Sequence, residues 1–249
     1  MSAKIAVAIP CYNEAPAIGQ VISDWSEALP SAEIVVFDNN SNDGTTDAAR
    51  AAGAQVVPVP EQGKGHVVRA IFATLSDRDA VILIDGDGTY PASAIHGLLQ
   101  PVLNGQVDMA VGARRPVQGA GAMSPVRGLG NVLIRAAFRV LIGRGPGDLL
   151  SGYRVFSRHF RESVHLRSSG FEIETELAGE AVARNLKTLE IPVPYYPRIA
   201  GTASKLNAFR DGSRILWTIL SLGLRLRPWR ILLLIFILLA VLAVLFAGR

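Results

Sequence analysis

Residues 80–84 read AVILI, and the chain then turns abruptly polar in Asp85-Gly86-Asp87. A short run with no polar side chain is a strand covered on both faces, the habit of parallel sheets rather than of one-sided antiparallel ones. In open α/β sheets, ligands bind beyond the carboxyl ends of the strands. Two carboxylates at i and i+2 on such an edge, Asp85 and Asp87, can converge on one hard cation. Gly86, between them, lets a phosphate approach the backbone. Asp-Gly is also ordinary turn chemistry. On its own, then, the segment leaves both a metal-assisted diphosphate site and a plain strand-ending turn open.

The first half of the chain repeats this grammar. Strand-like runs fall at 5–9, 34–38, 56–59, 81–85 and 109–112, with helical patterns between them, for example at 17–29 and 67–75. The alternation predicts an α/β fold, a mostly parallel sheet with helices on both faces. The second half is less regular. A glycine-rich basic stretch, 114–130, leads to a helix at 131–142, then to the strand-like GYRVFS and a helix at 172–184. A final strand at 189–195 contains Pro192 and Pro194, which assigns it to a sheet edge.

The C-terminus has a different character. Residues 231–247 are seventeen consecutive apolar residues, fourteen of them Ile, Leu, Val or Phe. At roughly −0.3 to −0.6 kcal/mol each, those fourteen contribute about −4 to −8 kcal/mol to membrane insertion. As a helix the run measures about 25 Å, slightly short of a bilayer core. It is expected to be a single-pass anchor within 229–249. Residues 201–249 carry seven Lys/Arg and one acid, whereas the preceding 200 residues carry eighteen basic and twenty acidic groups. The basic excess is therefore a collar beside a membrane segment and not a nucleic-acid-binding surface. It assigns the main domain, 1–206, to the cytoplasmic side. In the intervening 207–228, Arg214, Thr218, Ser221 and Arg225 recur at helical spacing among Ile215, Leu216, Trp217, Ile219, Leu220 and Leu222. That pattern predicts a helix in the membrane interface, the alternative being a helix packed on the domain core.

The single cysteine, Cys11, excludes an internal disulfide and fits a reducing compartment. The four histidines show no metal-ligand spacing, and the first apolar stretch, KIAVAIP, reads as a strand rather than a signal peptide.

Strand ends supply further candidates. The first strand runs into Pro10-Cys11-Tyr12-Asn13-Glu14 and not into GxGxxG, which argues against a dinucleotide fold. The second ends at Asp38 and enters NNSNDGT, where a carboxylate can accept hydrogen bonds from a base or ribose, and where the same residues make a good loop and helix start. Gly63-Lys64-Gly65 lacks Walker A spacing. A lysine between glycines suits a phosphate and suits a turn equally.

Taken in order, PCYNE, DNNSNDGT, GKG, DGDGTYP, GAR, SGYRVF, GFEIETEL and RIAGTASKL make a series that resembles family 2 glycosyltransferases of the GT-A fold. More narrowly it resembles polyprenyl-phosphate hexose synthases of the dolichol-phosphate mannose synthase type, over residues 3–206. DGDGTYP and GTASKL are fairly specific, and the other motifs are weak singly. The resemblance implies that Pro10, Tyr12, Glu14 and Asp38 hold the nucleoside of a nucleotide-sugar donor. It implies that Asp85 and Asp87 hold Mg²⁺ or Mn²⁺ on the donor diphosphate, beside Gly86 and Lys64. The mannose synthases carry a metal-binding Gln two places after the second Asp; here that place is Thr89. Arg114, Arg127 and Asn131 match positions that grip the acceptor phosphate. Arg198 and Lys205 match residues that close over the diphosphate, Asp148 lies near the sugar, and Glu174 is a sugar contact. For the basic residues, the alternative is a solvated or lipid-facing charge.

The implied chemistry is consistent with that set. Displacing a nucleoside diphosphate requires neutralising developing negative charge, which a metal and Arg/Lys clamps supply. A lipid phosphate acceptor needs no general base, because its second pKa is near 6 and it is already anionic at neutral pH. Glu172, Glu174 and Glu176 open a helix, where carboxylates also favour the macrodipole, and none is assigned as a base. The rival readings are another membrane-anchored family 2 enzyme making polysaccharide or glycolipid, and an inert nucleotide-sugar-binding scaffold. A processive synthase would carry a QxxRW-type motif, which is absent here. A soluble nucleotidyltransferase would share the sheet but leave the anchor unexplained. Sugar, nucleotide, lipid length and oligomeric state are not encoded in any motif.

Overall fold

The computed structural model describes residues 3–117, 125–202 and 208–247. The first half forms β1 (Ile5–Cys11), α1 (Ala15–Ala28), β2 (Glu33–Asp38), α2 (Thr45–Ala51), β3 (Gln55–Pro58), α3 (Lys64–Thr74), β4 (Ala80–Leu83), α4 (Ile95–Leu103) and β5 (Met109–Pro116). The second half adds α5 (Pro125–Leu141), β6 (Arg154–Ser157), α6 (Arg158–Ser163), α7 (Ile173–Ala183), β7 (Thr188–Tyr195), α8 (Ala208–Leu226) and α9 (Pro228–Ala247). One seven-stranded sheet has the order β3-β2-β1-β4-β6-β5-β7. Strands β1 to β4 pair in parallel, as do β5 and β7, and β6 runs antiparallel to both of its neighbours.

The apolar runs are continuous because both faces of the sheet are covered. On β1, Val7 and Ile9 pack with α1 and α4, whereas Ala6 and Ala8 pack with α3 and α7. Helix α1 starts with a proline in its first turn, where no intrahelical donor is lost. Its buried Ile18, Val21, Ile22 and Trp25 recur at three- and four-residue intervals and set one face on the sheet.

β7 is the edge strand that its prolines required. Pro192 and Pro194 sit opposite Ala113 and Arg115 in the β5 ladder. Three boundaries differ from the sequence reading. β5 runs to Pro116, so Arg114 belongs to a strand, paired with Val193, and not to a loop. α5 begins at Pro125, inside the glycine-rich stretch, because proline is tolerated in a first turn. α9 begins at Pro228, three residues before the apolar run, and its twenty residues reach about 30 Å.

The amphipathic segment has two apolar faces. Ile215, Ile219 and Leu222 of α8 are buried against Ile134 and Phe138 of α5, Ile142 just beyond its end, and Ala178 of α7. Leu216, Trp217, Leu220 and Leu224 are exposed on the same helix. So α8 closes a third small core of the domain while offering apolar side chains outward. α9 is long and apolar enough to cross a membrane, and its apolar window is not buried against the rest of the structure.

Candidate active site

The carboxyl ends of β1, β2 and β4 lie side by side and build the site. Cys11 is in register with Asp38, and Asn39 N donates to Cys11 O at 2.9 Å. Asp38 is 8% exposed. Its Oδ2 accepts from Ser41 N at 3.3 Å, while its buried Oδ1 has no hydrogen-bond partner among the described residues. A buried carboxylate oxygen left without a donor is costly, and a ribose or base donor is the kind of group that would satisfy it. Pro10 is half-buried at the end of β1, Tyr12 is partly exposed, and buried Glu14 caps α1 with its backbone N on Thr45 Oγ1. These residues lie together at the carboxyl ends of β1 and β2 and the start of α1.

Asp85 follows β4 directly. Lys64 Nζ lies 2.6 Å from Asp85 Oδ1 and 2.6 Å from Glu174 Oε1. Burial alone would lower the lysine pKa, but the two carboxylates outweigh it and hold the ammonium charged. Burial raises Asp85, and Lys64 more than reverses this, so its carboxyl stays below the ordinary value. For Glu174 burial wins over Lys64, and its pKa is raised. Asp87 is 2% exposed. Arg198 Nη1 reaches its Oδ2 at 2.5 Å, and its Oδ1 accepts from Thr89 Oγ1 at 2.7 Å and Thr89 N at 3.1 Å. The segment after β7 is fastened alongside, since Tyr196 N donates to Thr89 O and Ile199 N to Asp87 O.

Two glycine sites let main chain approach this centre. A Cβ on Gly65 would lie 2.1 Å from Ser168 O, and one on Gly152 would lie 2.2 Å from Asp85 Oδ2. Gly86 is likewise tight, its Cβ position falling 2.7 Å from Cys11 Sγ. The GKG lysine is therefore more than a turn residue: its flanks are clamped so that Nζ points between two acids.

Arg114 forms a forked pair with Asp148, Nε to Oδ2 at 2.8 Å and Nη2 to Oδ1 at 2.7 Å, and lies 5.7 Å from the Tyr195 ring centre. Asp148 is held in turn by Glu190, whose carboxylate accepts from Gly147 N at 2.5 Å and Asp148 N at 3.1 Å. Asn131 is half-buried on α5. Arg127 falls in the first turn of α5, with its side chain outside the described residues, and Lys205 also lies outside them.

The supporting residues were not singled out from sequence. Asn39 accepts from Gly63 N at 2.7 Å and donates to Val59 O and Glu61 O, tying β2 to the GKG loop. Buried Arg154 donates to Leu149 O and Ser151 O, fixing the loop that carries Asp148 and Gly152. Nothing in the local sequence distinguishes Asn39 from its neighbour Asn40. An arginine inside the apolar GYRVFS strand, by contrast, was a visible signal of a buried polar role.

Two oxygen-donor carboxylates two residues apart suit a hard divalent cation. Among the described residues no group of three or more His, Cys, Asp and Glu side chains could hold a metal unaided. A cation at Asp85 and Asp87 would therefore draw its remaining ligands from the bound diphosphate and water.

The glycosyl transferase family 2 profile matches residues 6–159. The glycosyltransferase AglJ of Haloferax volcanii is 39% identical over 85% of this chain and 69% of its own length. The dolichyl-phosphate hexose transferase of the same organism is 30% identical over 85% of this chain and 90% of its own. Glucosyl-3-phosphoglycerate synthase from Mycobacterium tuberculosis, crystallised with Mn²⁺, UDP-glucose and phosphoglyceric acid, superposes with a TM-score of 0.67. It is 25% identical and covers 89% of this chain and 80% of its own.

Proposed function

This chain belongs to glycosyl transferase family 2, and we propose that it transfers a hexose from a nucleotide-diphosphate sugar, GDP-mannose or UDP-glucose, to a polyprenyl phosphate of the dolichyl or undecaprenyl kind. The reaction takes place at the cytoplasmic membrane face. The observation that carries this reading is one chain joining a paired-carboxylate strand edge, bracketed by Lys64 and Arg198, to an unburied apolar helix of membrane length. The names of the relatives support the lipid phosphate, and the mycobacterial complex supports a sugar nucleotide with a divalent cation.

In this reading Asp38 and Glu14 seat the nucleoside. Asp85 and Asp87 hold Mg²⁺ or Mn²⁺, which supplies charge neutralisation on the leaving diphosphate. Arg198, now paired with Asp87, sits where it can also meet that diphosphate, and Lys64 keeps Asp85 ionised and aimed. Arg114, with Arg127 and Asn131, orients the acceptor phosphate. One phosphate oxygen attacks the anomeric carbon, the bond from that carbon to the donor oxygen breaks, and the nucleoside diphosphate leaves with the electron pair. A single displacement inverts the anomeric centre. No general base is required, and the carboxylates of α7 support that view. Glu176 is engaged by the backbone N–H groups of residues 167 and 168 and Glu174 by Lys64, while Glu172, just before the helix, accepts from residues 169 and 170 through Oε1 alone.

The test is to incubate membranes bearing the protein with labelled GDP- and UDP-hexoses and a polyprenyl phosphate, with and without EDTA. Label should move to an organic-soluble, acid-labile lipid, stop with chelator and resume with Mg²⁺ or Mn²⁺. Transfer to water-soluble phosphoglycerate instead, or no transfer from any donor, would overturn the proposal.

A further inference from the structure

A cavity of about 260 Å³ opens at the C-terminal end of α5, beside the loop that carries Asp148. Arg135 and Arg139 of α5 and Arg144 of the following loop line it, with Phe138 and Leu149 as its apolar floor. All three arginines are exposed, and none has a carboxylate within 4 Å among the described residues. Three like charges around one concavity repel one another, and an anion relieves that repulsion. The carboxylate of Glu190, beside the lining residue Gly147, is turned onto Gly147 N and Asp148 N.

The cavity sits at the foot of α9. Arg230, in the first turn of that helix, donates from Nη1 to Arg139 O at 3.2 Å and Val140 O at 3.3 Å. Its guanidinium also lies 3.7 Å from where a side chain on Gly143, another lining residue, would begin. Trp229 is 54% exposed, with Arg230 5.2 Å from its ring centre. A tryptophan and an arginine at the start of an apolar span mark headgroup depth. Gly147 and Leu149 line the cavity while Asp148, between them, turns its carboxylate to Arg114. The same loop therefore divides this cavity from the catalytic cleft.

We infer that the cavity is a binding site for the phosphate headgroup of an anionic membrane phospholipid, distinct from the acceptor site. Guanidinium forks match phosphate oxygens. The volume lies just under the roughly 300–1,000 Å³ of pockets that enclose drug-sized ligands, so it suits a headgroup rather than a whole sugar nucleotide. The inference rests on α9 entering the bilayer and not on the reaction proposed above.

The experiment uses the full chain in neutral detergent and follows thermal unfolding. Short-chain phosphatidylglycerol, phosphatidylcholine, inorganic phosphate and a short polyprenyl phosphate are titrated separately. Phosphatidylglycerol should raise Tm saturably, and phosphatidylcholine should not. The double variant R139Q/R144Q should keep the unliganded Tm and bind phosphatidylglycerol about tenfold more weakly or worse, since each hydrogen bond it removes from the phosphate is charge-assisted. The control R214Q, which removes a cation outside the cavity, should bind as the parent does. Equal stabilisation by inorganic phosphate at the same concentration would make the cavity a free-phosphate site and overturn the lipid assignment. Stabilisation by polyprenyl phosphate alone would make it part of the acceptor route, again overturning it, as would unchanged phosphatidylglycerol binding by R139Q/R144Q. Because the assay needs neither turnover nor a bilayer, its failure leaves the proposed reaction and the anchor untouched.

Discussion

Replacing Lys64 by methionine should destabilise the domain in a pH-dependent way. The lysine side chain is 9% exposed, that of Glu174 5% and that of Asp85 27%. Methionine fills similar space but leaves two carboxylates facing each other with no cation between them. Removing one partner of a buried ion pair costs about 3–5 kcal/mol. The lower figure applies here, because water reaches Asp85 and one of the two acids can take up a proton. About 3 kcal/mol corresponds to a drop of roughly 6–12 °C in Tm for a domain of this size. Glu174 is the group that protonates, since burial already raises its pKa and the loss of Lys64 removes the main opposing influence. A carboxyl whose folded pKa lies above its unfolded value is destabilising when ionised. The deficit is therefore full above the folded pKa and shrinks as pH falls through it towards the ordinary glutamate range. Thermal unfolding of the purified protein between pH 5 and 8 reads this directly, and K64M/E174Q should recover most of the loss at neutral pH. If K64M melts with the parent at pH 7.5, or its deficit grows as pH falls, the lysine is not compensating these two acids.

Other perturbations follow from the same geometry. Gly65→Ala places a methyl against the main chain of Ser168, which cannot swing away, so a loss of about 1–3 kcal/mol is expected from chemical denaturation. Asp87→Asn should lower turnover about 100-fold or more while leaving the fold intact, checked by steady-state assay with saturating Mn²⁺ beside a circular dichroism melt; full activity of the variant in chelator would end the metal assignment. Truncation after Arg227 should release much of the protein from membranes and leave weak, salt-sensitive attachment through the 213–225 helix, where exposed Arg214 accompanies exposed Leu216, Trp217, Leu220 and Leu224. Fractionation at low and high salt measures it, and a truncated protein that stays bound in high salt would show that α9 is not the principal anchor.

The parallel sheet was legible because its strands are buried on both faces, which writes them as unbroken apolar runs such as AVILI. The edge position of β7 was legible because two prolines tolerate no other place. The start of α5 was not, because glycines at 128 and 130 read as loop while the buried Ile134, Phe138 and Ile142 further on decide for helix. Candidate residues were legible where a motif sits at a strand end, as with Asp38, Asp85 and Asp87. The pairings among them were not. Nothing local in GKG says that its lysine bridges Asp85 and an acid 110 positions away, and nothing in GAR says that its arginine is locked to Asp148. Such pairs depend on which loops the sheet order brings together, and β6 inserted antiparallel between β4 and β5 is what carries the Asp148 loop to the β4 edge.

Helix α7 shows how far that long-range order reaches. Its acids look in sequence like a first turn enriched in carboxylates to suit the helix dipole, yet each is buried and faces something different. Glu172 accepts from Ser169 N and Gly170 N, and Glu176 from Arg167 N and Ser168 N, so the two together fix the loop leading into the helix. That loop returns Ser169 O to Gly65 N at 2.9 Å. Lys64 is thus positioned twice by α7, once through Glu174 and once through the backbone beside it. One turn further along, Glu180 binds Arg184 at 2.6 Å and Arg225 of α8 at 2.5 Å, with Glu176 3.4 Å from the same Arg225. The helix that carries the exposed Trp217 and the lysine that aims Asp85 are therefore anchored on the same few buried carboxylates. A substitution that removes Arg225 from α8 would leave Glu180 with Arg184 alone and take a cation from Glu176, loosening the support of the 167–170 loop although no atom at the end of β4 had been changed.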